Sequence, residues 1–249
     1  MPKPSLTILV PARNEAGNIP RIIQSIPVLL GAKQEVVFVE GNSSDATWDA
    51  IQQQVQSKTA PYSIRAYQQA GKGKAEAVRL GCKEAANDLI IIFDADLTVD
   101  ASYIQTFYDA YCNQEGKFII GNRFFYPMEK EAMRPLNYAG NKVFAFLLSY
   151  VLRTTIPDSL CGMKMFAKSD WEQWQAWMAK EIGTPDPFGD FELIFPAAAL
   201  GVGIKSIPVP YKARTYGKTN IRRFRDGWLL LKMTLTGYWR IRLGRKRNV

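Results

Sequence analysis

The amino-acid sequence predicts an α/β protein built on a mostly parallel central sheet with helices on both faces. Three observations lead there. Strand-like apolar runs alternate with helical stretches through the first half of the chain. The runs are short and β-branched, as strands buried on both faces must be, and polar loops follow their carboxyl ends. With 249 residues, 47% hydrophobic and 22% charged, the chain can bury one substantial core, and no repeat or low-complexity linker divides it.

The first strand-like run, Leu6–Val10, is followed by a helical stretch at Asn18–Leu30. Glu35–Glu40 precedes Ala46–Ser57, Tyr62–Tyr67 precedes Gly73–Ala86, and Leu89–Phe93 precedes Ala101–Asn113. This βαβ series places functional loops after the strand ends. After Phe118–Gly121 the pattern changes. Asn137–Leu152 is an apolar helical stretch inside Pro127–Thr155, an insertion expected to contribute to a binding surface. Gly162–Ala167 is strand-like, Phe191–Leu200 helical and Ile204–Tyr211 strand-like. The expected organisation is a domain over residues 1–220 and a basic, aromatic-rich helix over 221–249 that belongs to the same domain.

The net charge of +9 is concentrated at one end. From Arg222 onward, nine basic residues stand against Asp226, so +8 of the +9 lies there. Met1-Pro2-Lys3-Pro4 runs straight into the first strand, leaving no room for an apolar signal segment, and a cytoplasmic location is expected. Cys82, Cys112 and Cys161 are odd in number and widely spaced, which suggests packing residues rather than a disulfide framework or zinc site. The chain has no histidine, so acid-base and metal chemistry fall to carboxylates.

Asp94-Ala95-Asp96 stands where the run Leu89–Phe93 stops. Two carboxylates at i and i+2 suit a divalent cation carrying a diphosphate, and the carboxyl end of a parallel strand is where open α/β sheets bind ligands. Chance alone would supply an Asp-x-Asp about once in a chain this long, so its context carries the argument. Pro11-Ala12-Arg13-Asn14-Glu15 and Glu40-Gly41-Asn42-Ser43-Ser44-Asp45 are polar loops at successive strand ends, where a nucleotide would lie. Gly71-Lys72-Gly73-Lys74 precedes a helix and reads either as a phosphate-binding turn or as a solvated basic turn. It is not a P-loop, because Gln68 and Ala75 stand where that pattern needs Gly and Ser or Thr.

The ordered set Pro11…Glu15, Asp45, Gly71-Lys72-Gly73-Lys74, Asp94-Ala95-Asp96-Leu97, Gly121-Asn122-Arg123, Asp158…Cys161-Gly162-Met163-Lys164 and Arg214-Thr215-Tyr216-Gly217 resembles family 2 glycosyltransferases. Within that family it is most similar to dolichol-phosphate mannose synthase and the bacterial polyprenyl-phosphate glycosyltransferases. The resemblance implies a GT-A (Rossmann-like) fold, a nucleoside-diphosphate sugar donor of the GDP-mannose or UDP-glucose type, Mg2+ or Mn2+, and inverting transfer. It implies that Pro11, Arg13, Glu15, Val39 and Gly41 line the base and ribose pocket, with Asp45 and Lys74 also on the donor side. Asp94, Ala95, Asp96 and Thr98 would surround ribose, metal and diphosphate, the metal taking Asp96, Asp94 and Thr98. Arg123 and Arg214 would meet phosphates, Arg134 and Asp158 would join the acceptor site, and Lys218 would compensate for a family lysine that is Asn220 here. The family's Asp-Asp-Gly-Ser is Glu40-Gly41-Asn42-Ser43 in this chain, so the donor base is left open.

Catalytic work would then rest on Asp96, Asp94, Arg123 and Asp190. A lipid phosphate acceptor is already anionic at neutral pH and needs no base. A hydroxyl acceptor would need one, and Asp190 ahead of an apolar helical stretch is the natural candidate. Asp190 reads equally as a helix N-cap or an acceptor-organising residue, and Asp158 as a turn former or acceptor residue. The tail mixes Trp228, Leu229, Leu230, Leu231, Leu235, Tyr238 and Trp239 with basic residues and reads as an interfacial helix on an anionic membrane. A helix packed on the protein with a solvated basic end is the competing reading, and no nucleic-acid partner is expected. The sequence therefore points to transfer of a hexose to polyprenyl or dolichyl phosphate at the cytoplasmic face of a membrane. Transfer to a hydroxyl with Asp190 as base, and a non-catalytic nucleotide-sugar-binding membrane adaptor, remain as alternatives.

Overall fold

The protein is seen in a computed structural model that describes residues 3–129, 131–183, 186, 188–217 and 223–244. Among the described residues seven strands form one sheet: β1 (Leu6–Ala12), β2 (Gln34–Glu40), β3 (Ser63–Gln68), β4 (Leu89–Ile92), β5 (Phe118–Asn122), β6 (Lys164–Ala167) and β7 (Ile204–Pro208). Their order across the sheet is β3-β2-β1-β4-β6-β5-β7. The pairs β1·β2, β1·β4, β2·β3 and β5·β7 are parallel, whereas β6 runs antiparallel to both β4 and β5. The chain reverses through β6, so the residues leading into β6 lie beside those leaving β4 and β5.

Alternation along the strands feeds two cores. Leu9, Val37, Val39, Ile92, Ile120 and Phe166 point to one face. There they meet α3 (Lys74–Glu84), α5 (Pro135–Leu152), α6 (Lys168–Glu181), α7 (Phe191–Ala199) and α8 (Arg223–Gly237). Ile8, Val10, Phe38, Ile91 and Met165 point to the other, against α1 (Ile19–Ser25), α2 (Thr47–Ser57) and α4 (Tyr103–Cys112). The predicted α/β architecture with helices on both faces is thus observed.

Several boundaries differ from expectation for local reasons. The helix expected over Asn18–Leu30 stops at Ser25, because Pro27 drives Ile26 into an extended conformation (ψ 123°). The last strand ends at Pro208, where Pro210 follows closely. Helix α6 had no counterpart in the sequence reading. It buries Trp174 and Met178, and Trp174 packs edge-on against Phe118 with ring centroids 5.1 Å apart. Cys82 and Cys161 are buried packing residues as expected, but Cys112 is exposed at the end of α4, the last turn facing solvent.

Within the expected insertion, α5 packs on α8 and on the π-helix Tyr238–Leu243 that continues it. Leu230, Met233 and Ile241 join the core beneath them, so part of the predicted tail is integral to the fold.

Candidate active site at the strand ends

The loops after β1 and β2 are laced together before any ligand is considered. The backbone N–H groups of Asn14, Glu15 and Ala16 donate to Ser43 Oγ (3.0 Å), Thr47 Oγ1 (2.9 Å) and Asp45 Oδ2 (3.3 Å). In return, Ser44 N–H donates to Asn14 Oδ1 at 2.8 Å, with Asn14 in the left-handed region (φ 57°). Asp45 therefore organises this double loop. Burial works to raise its pKa, but the Thr47 hydroxyl and the N–H groups of Ala16 and Thr47 outweigh it and leave the carboxyl low. Glu40 turns inward to Ser43 and Gln68 in the same way. Pro11 and the exposed Arg13 flank the opening, and the Cβ of Arg13 lies 3.2 Å from where a Cβ on Gly41 would stand. The Val39 side chain is wholly in the core, so any contact it makes to a nucleotide goes through its backbone.

Asp94, Ala95 and Asp96 follow β4, and Leu97 adopts φ 54°, an uncommon backbone for a bulky residue. This twist lets the Thr98 N–H (3.1 Å) and hydroxyl (2.7 Å) both donate to Asp96 Oδ1. The Thr98 hydroxyl is thus directed at a carboxylate and orients it. Arg214 Nη2 meets Asp96 Oδ2 at 2.6 Å, while its Nη1 reaches Glu15 Oε1 at 3.4 Å. Glu15 is buried, and burial pushes its carboxyl up to about 7. Asn18 opposes that rise and the charge of Asp96 adds to it.

Lys74 opens α3 behind Gly73, whose φ of 99° favours glycine, and its ammonium lies 2.5 Å from Asp94 Oδ1. Burial disfavours both charges. For Asp94, Lys74 foremost and then Lys164 and Arg214 outweigh it and hold the carboxyl low. For Lys74, Asp94, Asp190 and Asp96 raise the ammonium above its usual value. The Gly71–Lys74 turn therefore divides: Lys72 is exposed, whereas Lys74 turns in to Asp94.

Arg123, after β5, is buried and clamped by Asp158 through Nε (2.7 Å) and Nη2 (2.8 Å), with its own N–H also donating to Asp158 at 3.1 Å. Its guanidinium lies 5.0 Å from the centre of the Tyr211 ring. Asp158 is fully buried and can bear on a ligand only through Arg123. Burial favours its neutral form, but Arg123 overcomes this and keeps the carboxyl low. Arg134 lies exposed at the head of α5, and Lys218 falls outside the described residues.

The N-cap reading of Asp190 is corrected. Asp186 takes the N–H groups of Phe191 (2.6 Å) and Glu192 (3.2 Å) at the head of α7, while the Asp190 carboxylate turns to the Lys164 ammonium. Asp186 is buried, and burial first, then Asp190 and Glu192, push it up to about 7. Lys164, Asp186 and Tyr216 are the residues that sequence reasoning left without a role. Tyr216 lies over Gly17, where a Cβ would fall 2.8 Å from its ring, and its hydroxyl reaches Asp45 at 3.4 Å. The sequence signal for Lys164 was a lysine among Met163, Met165 and Phe166 in a strand too apolar to face water.

Residues 7–174 match the family described as Glycosyl transferase family 2. The chain belongs to that family. It is 26% identical over 223 residues to the dolichyl-phosphate hexose transferase of Haloferax volcanii, covering 89% of each protein. It is also 26% identical over 236 residues to the hexosyltransferase Agl6 of the same organism, covering 93% of this chain but 53% of Agl6. Against the dolichol-phosphate mannosyltransferase of Pyrococcus furiosus the identity is 32% over 120 residues, 48% of this chain and 33% of that protein. The chain thus spans about half of Agl6 and a third of the mannosyltransferase. Glucosyl-3-phosphoglycerate synthase of Mycobacterium tuberculosis, solved with Mn2+, UDP and glucosyl-3-phosphoglycerate, superposes with a TM-score of 0.65. Its identity is 16%, and the match covers 96% of this chain and 80% of that one. These matches bear out the resemblance carried by the ordered motifs, and the sheet is that of a GT-A glycosyltransferase.

Proposed function

We propose that this family 2 member is an inverting hexosyltransferase that moves a hexose from a nucleoside-diphosphate sugar, of the GDP-mannose or UDP-glucose type, to polyprenyl or dolichyl phosphate. The observation that carries the reading is the arrangement at the strand ends. Asp94 is paired with Lys74, Asp96 with Arg214, and the clamped Arg123 stands on the far side of β6. The relative matched along 89% of both chains is a dolichyl-phosphate hexose transferase, which supports the choice of acceptor.

Asp94 and Asp96 offer hard carboxylate oxygens, and Gly162 leaves room beside Asp94 Oδ2 that a side chain would fill. That donor chemistry fits Mg2+ or Mn2+, which is held by one or two carboxylates together with substrate phosphates and water. When bound, the ion neutralises charge developing on the departing nucleoside diphosphate. Lys74 and Arg214 would exchange a carboxylate for phosphoryl oxygens, and Arg123, whose Nε and Nη2 are held by Asp158, would present its Nη1 edge to the acceptor. Glu15 and Asp158 keep their arginines aimed. A phosphate acceptor, with its second ionisation near about 6, brings its own nucleophilic oxygen. Asp190 is engaged by Lys164, which favours this acceptor over a hydroxyl that would need Asp190 as a free base.

A membrane surface is the natural source of such an acceptor. Leu136, Val143, Phe146 and Tyr150 form an outward apolar stripe on α5, and Trp228, Leu235 and Trp239 form a second on α8 and its continuation. Lys232, Arg240 and Arg242 lie among them, and Arg242 stands over the Tyr150 ring at 3.9 Å. Among the described residues no helix is long and apolar enough to cross a membrane. Two such stripes bordered by cations suit the headgroup region of an anionic leaflet. Incubation with labelled GDP-mannose or UDP-glucose, Mn2+ and polyprenyl phosphate in anionic vesicles should give lipid-extractable label; its absence with every donor tried would refute the proposal.

A further inference from the structure

Lys164 is fully buried on β6, in a segment otherwise made of Met163, Met165 and Phe166. A buried ammonium is costly unless it is paired and hydrogen-bonded, and a methionine would fill the same strand position without that penalty. Here the ammonium donates to the Cys161 carbonyl and to the Asp190 carboxylate, joining the turn before β6 to the head of α7. Both flanking strands bring the site to it. Lys164 pairs with Ile92 on β4 and with Ile120 on β5, two residues short of Asp94 and three short of Arg123. Gly162, on the same segment, lies against Asp94, and Gly189, beside Asp190, lies against Ala75, next to Lys74.

We propose that Lys164 is a positioning residue for the transfer. It fixes Asp190 beside the donor-side Lys74. It also leaves a positive charge in place when Lys74 turns to the diphosphate. Its charge also reaches the acceptor side: burial works against the Asp158 carboxylate, and after Arg123, Lys164 helps to keep it low. This inference rests on the hexosyltransferase reading but assigns a residue that the reading does not require.

The test compares Lys164→Met, Lys164→Arg and the double variant Lys164→Met/Asp190→Asn with wild type. Lys164→Met alone leaves Asp190 buried and unpaired, and its melting temperature should fall by roughly 10 °C. The double variant removes both charges and should regain that stability. Its affinity for UDP or GDP with Mn2+, read by calorimetry, should stay within about threefold of wild type while kcat remains down by about a hundredfold. Lys164→Arg, which keeps the charge, should restore part of the turnover. Recovery of wild-type kcat in the stable double variant would overturn the assignment, because the pair would then serve the fold alone. Wild-type transfer measured in parallel separates the two claims. Its absence with every donor counts against the hexosyltransferase reading, whereas transfer by wild type that the double variant matches counts only against Lys164.

Discussion

Gly162→Ala is the smallest change that reaches the proposed metal and diphosphate site without touching a charged residue. A Cβ built there falls 1.9 Å from Asp94 Oδ2, 2.5 Å from its Cγ and 2.6 Å from Lys74 Nζ, where the closest tolerated Cβ contacts are about 3.0 Å. Asp94 would therefore have to move by at least 1.1 Å, the difference between 3.0 and 1.9 Å, and the 2.5 Å contact with Lys74 would open with it. The backbone of Gly162 lies outside the left-handed region, so alanine meets no conformational penalty of its own. Displacing a reacting group's partner by about 1 Å typically costs a hundredfold in rate, about 2.7 kcal/mol. We expect kcat/KM for hexose transfer to fall about a hundredfold and Mn2+-dependent binding of the nucleoside diphosphate to weaken. Gly140→Ala is the control: nothing lies within 4 Å of that position on α5, and the change should raise stability by up to about 1 kcal/mol with activity intact. Steady-state kinetics and calorimetry on both variants read the outcome. Wild-type kcat/KM in Gly162→Ala would refute the placement of Asp94 in the chemistry.

Two further outcomes are expected. Asp186 has a folded pKa near 7 against an ordinary 3.8, so its contribution to stability is complete below pH 3.8 and is lost as pH rises through 7. Urea unfolding at pH 5 and pH 8 should then show Asp186→Asn gaining about 2 to 3 kcal/mol on wild type as pH rises, and a pH-independent difference would contradict the assignment. For the membrane face, Val143→Glu/Phe146→Glu should abolish co-sedimentation with anionic vesicles and leave the melting temperature unchanged, since both side chains are more than half exposed. Surface substitutions are cleaner here than deleting residues 222–249, which would strip Leu230, Met233 and Ile241 from the core.

The parts of this protein legible in its sequence were those set by local pattern. The β-branched runs and polar loops gave β1 to β5 their places, and the pair Asp94 and Asp96 does stand at the end of β4. What could not be read depended on contacts distant in the chain. The antiparallel insertion of β6 between β4 and β5 is a pairing choice, and it is what brings Gly162 to Asp94 and sets Lys164 opposite Ile92 and Ile120. Asp190 carried the local signature of a cap, yet Asp186, four residues earlier, holds the N–H groups of α7 because Lys164 claims Asp190. Helix α6 was hidden because its buried face is written in Trp174 and Met178 beside charged neighbours, which blurs the usual apolar periodicity. Of the two readings of the tail, packing on the protein is the one observed: Leu230, Met233 and Ile241 are core, while Trp228 and Trp239 stay exposed on the outer face, where the proposed membrane contact would lie.

Whether the acceptor is a phosphate is decided by comparing polyprenyl phosphate with the corresponding polyprenol under one donor and Mn2+, scoring glycolipid by mass spectrometry. Product should form from the phosphate alone, with Arg123→Ala raising the KM for that lipid. Equal or greater product from the alcohol would contradict it and return Asp190 to the role of general base.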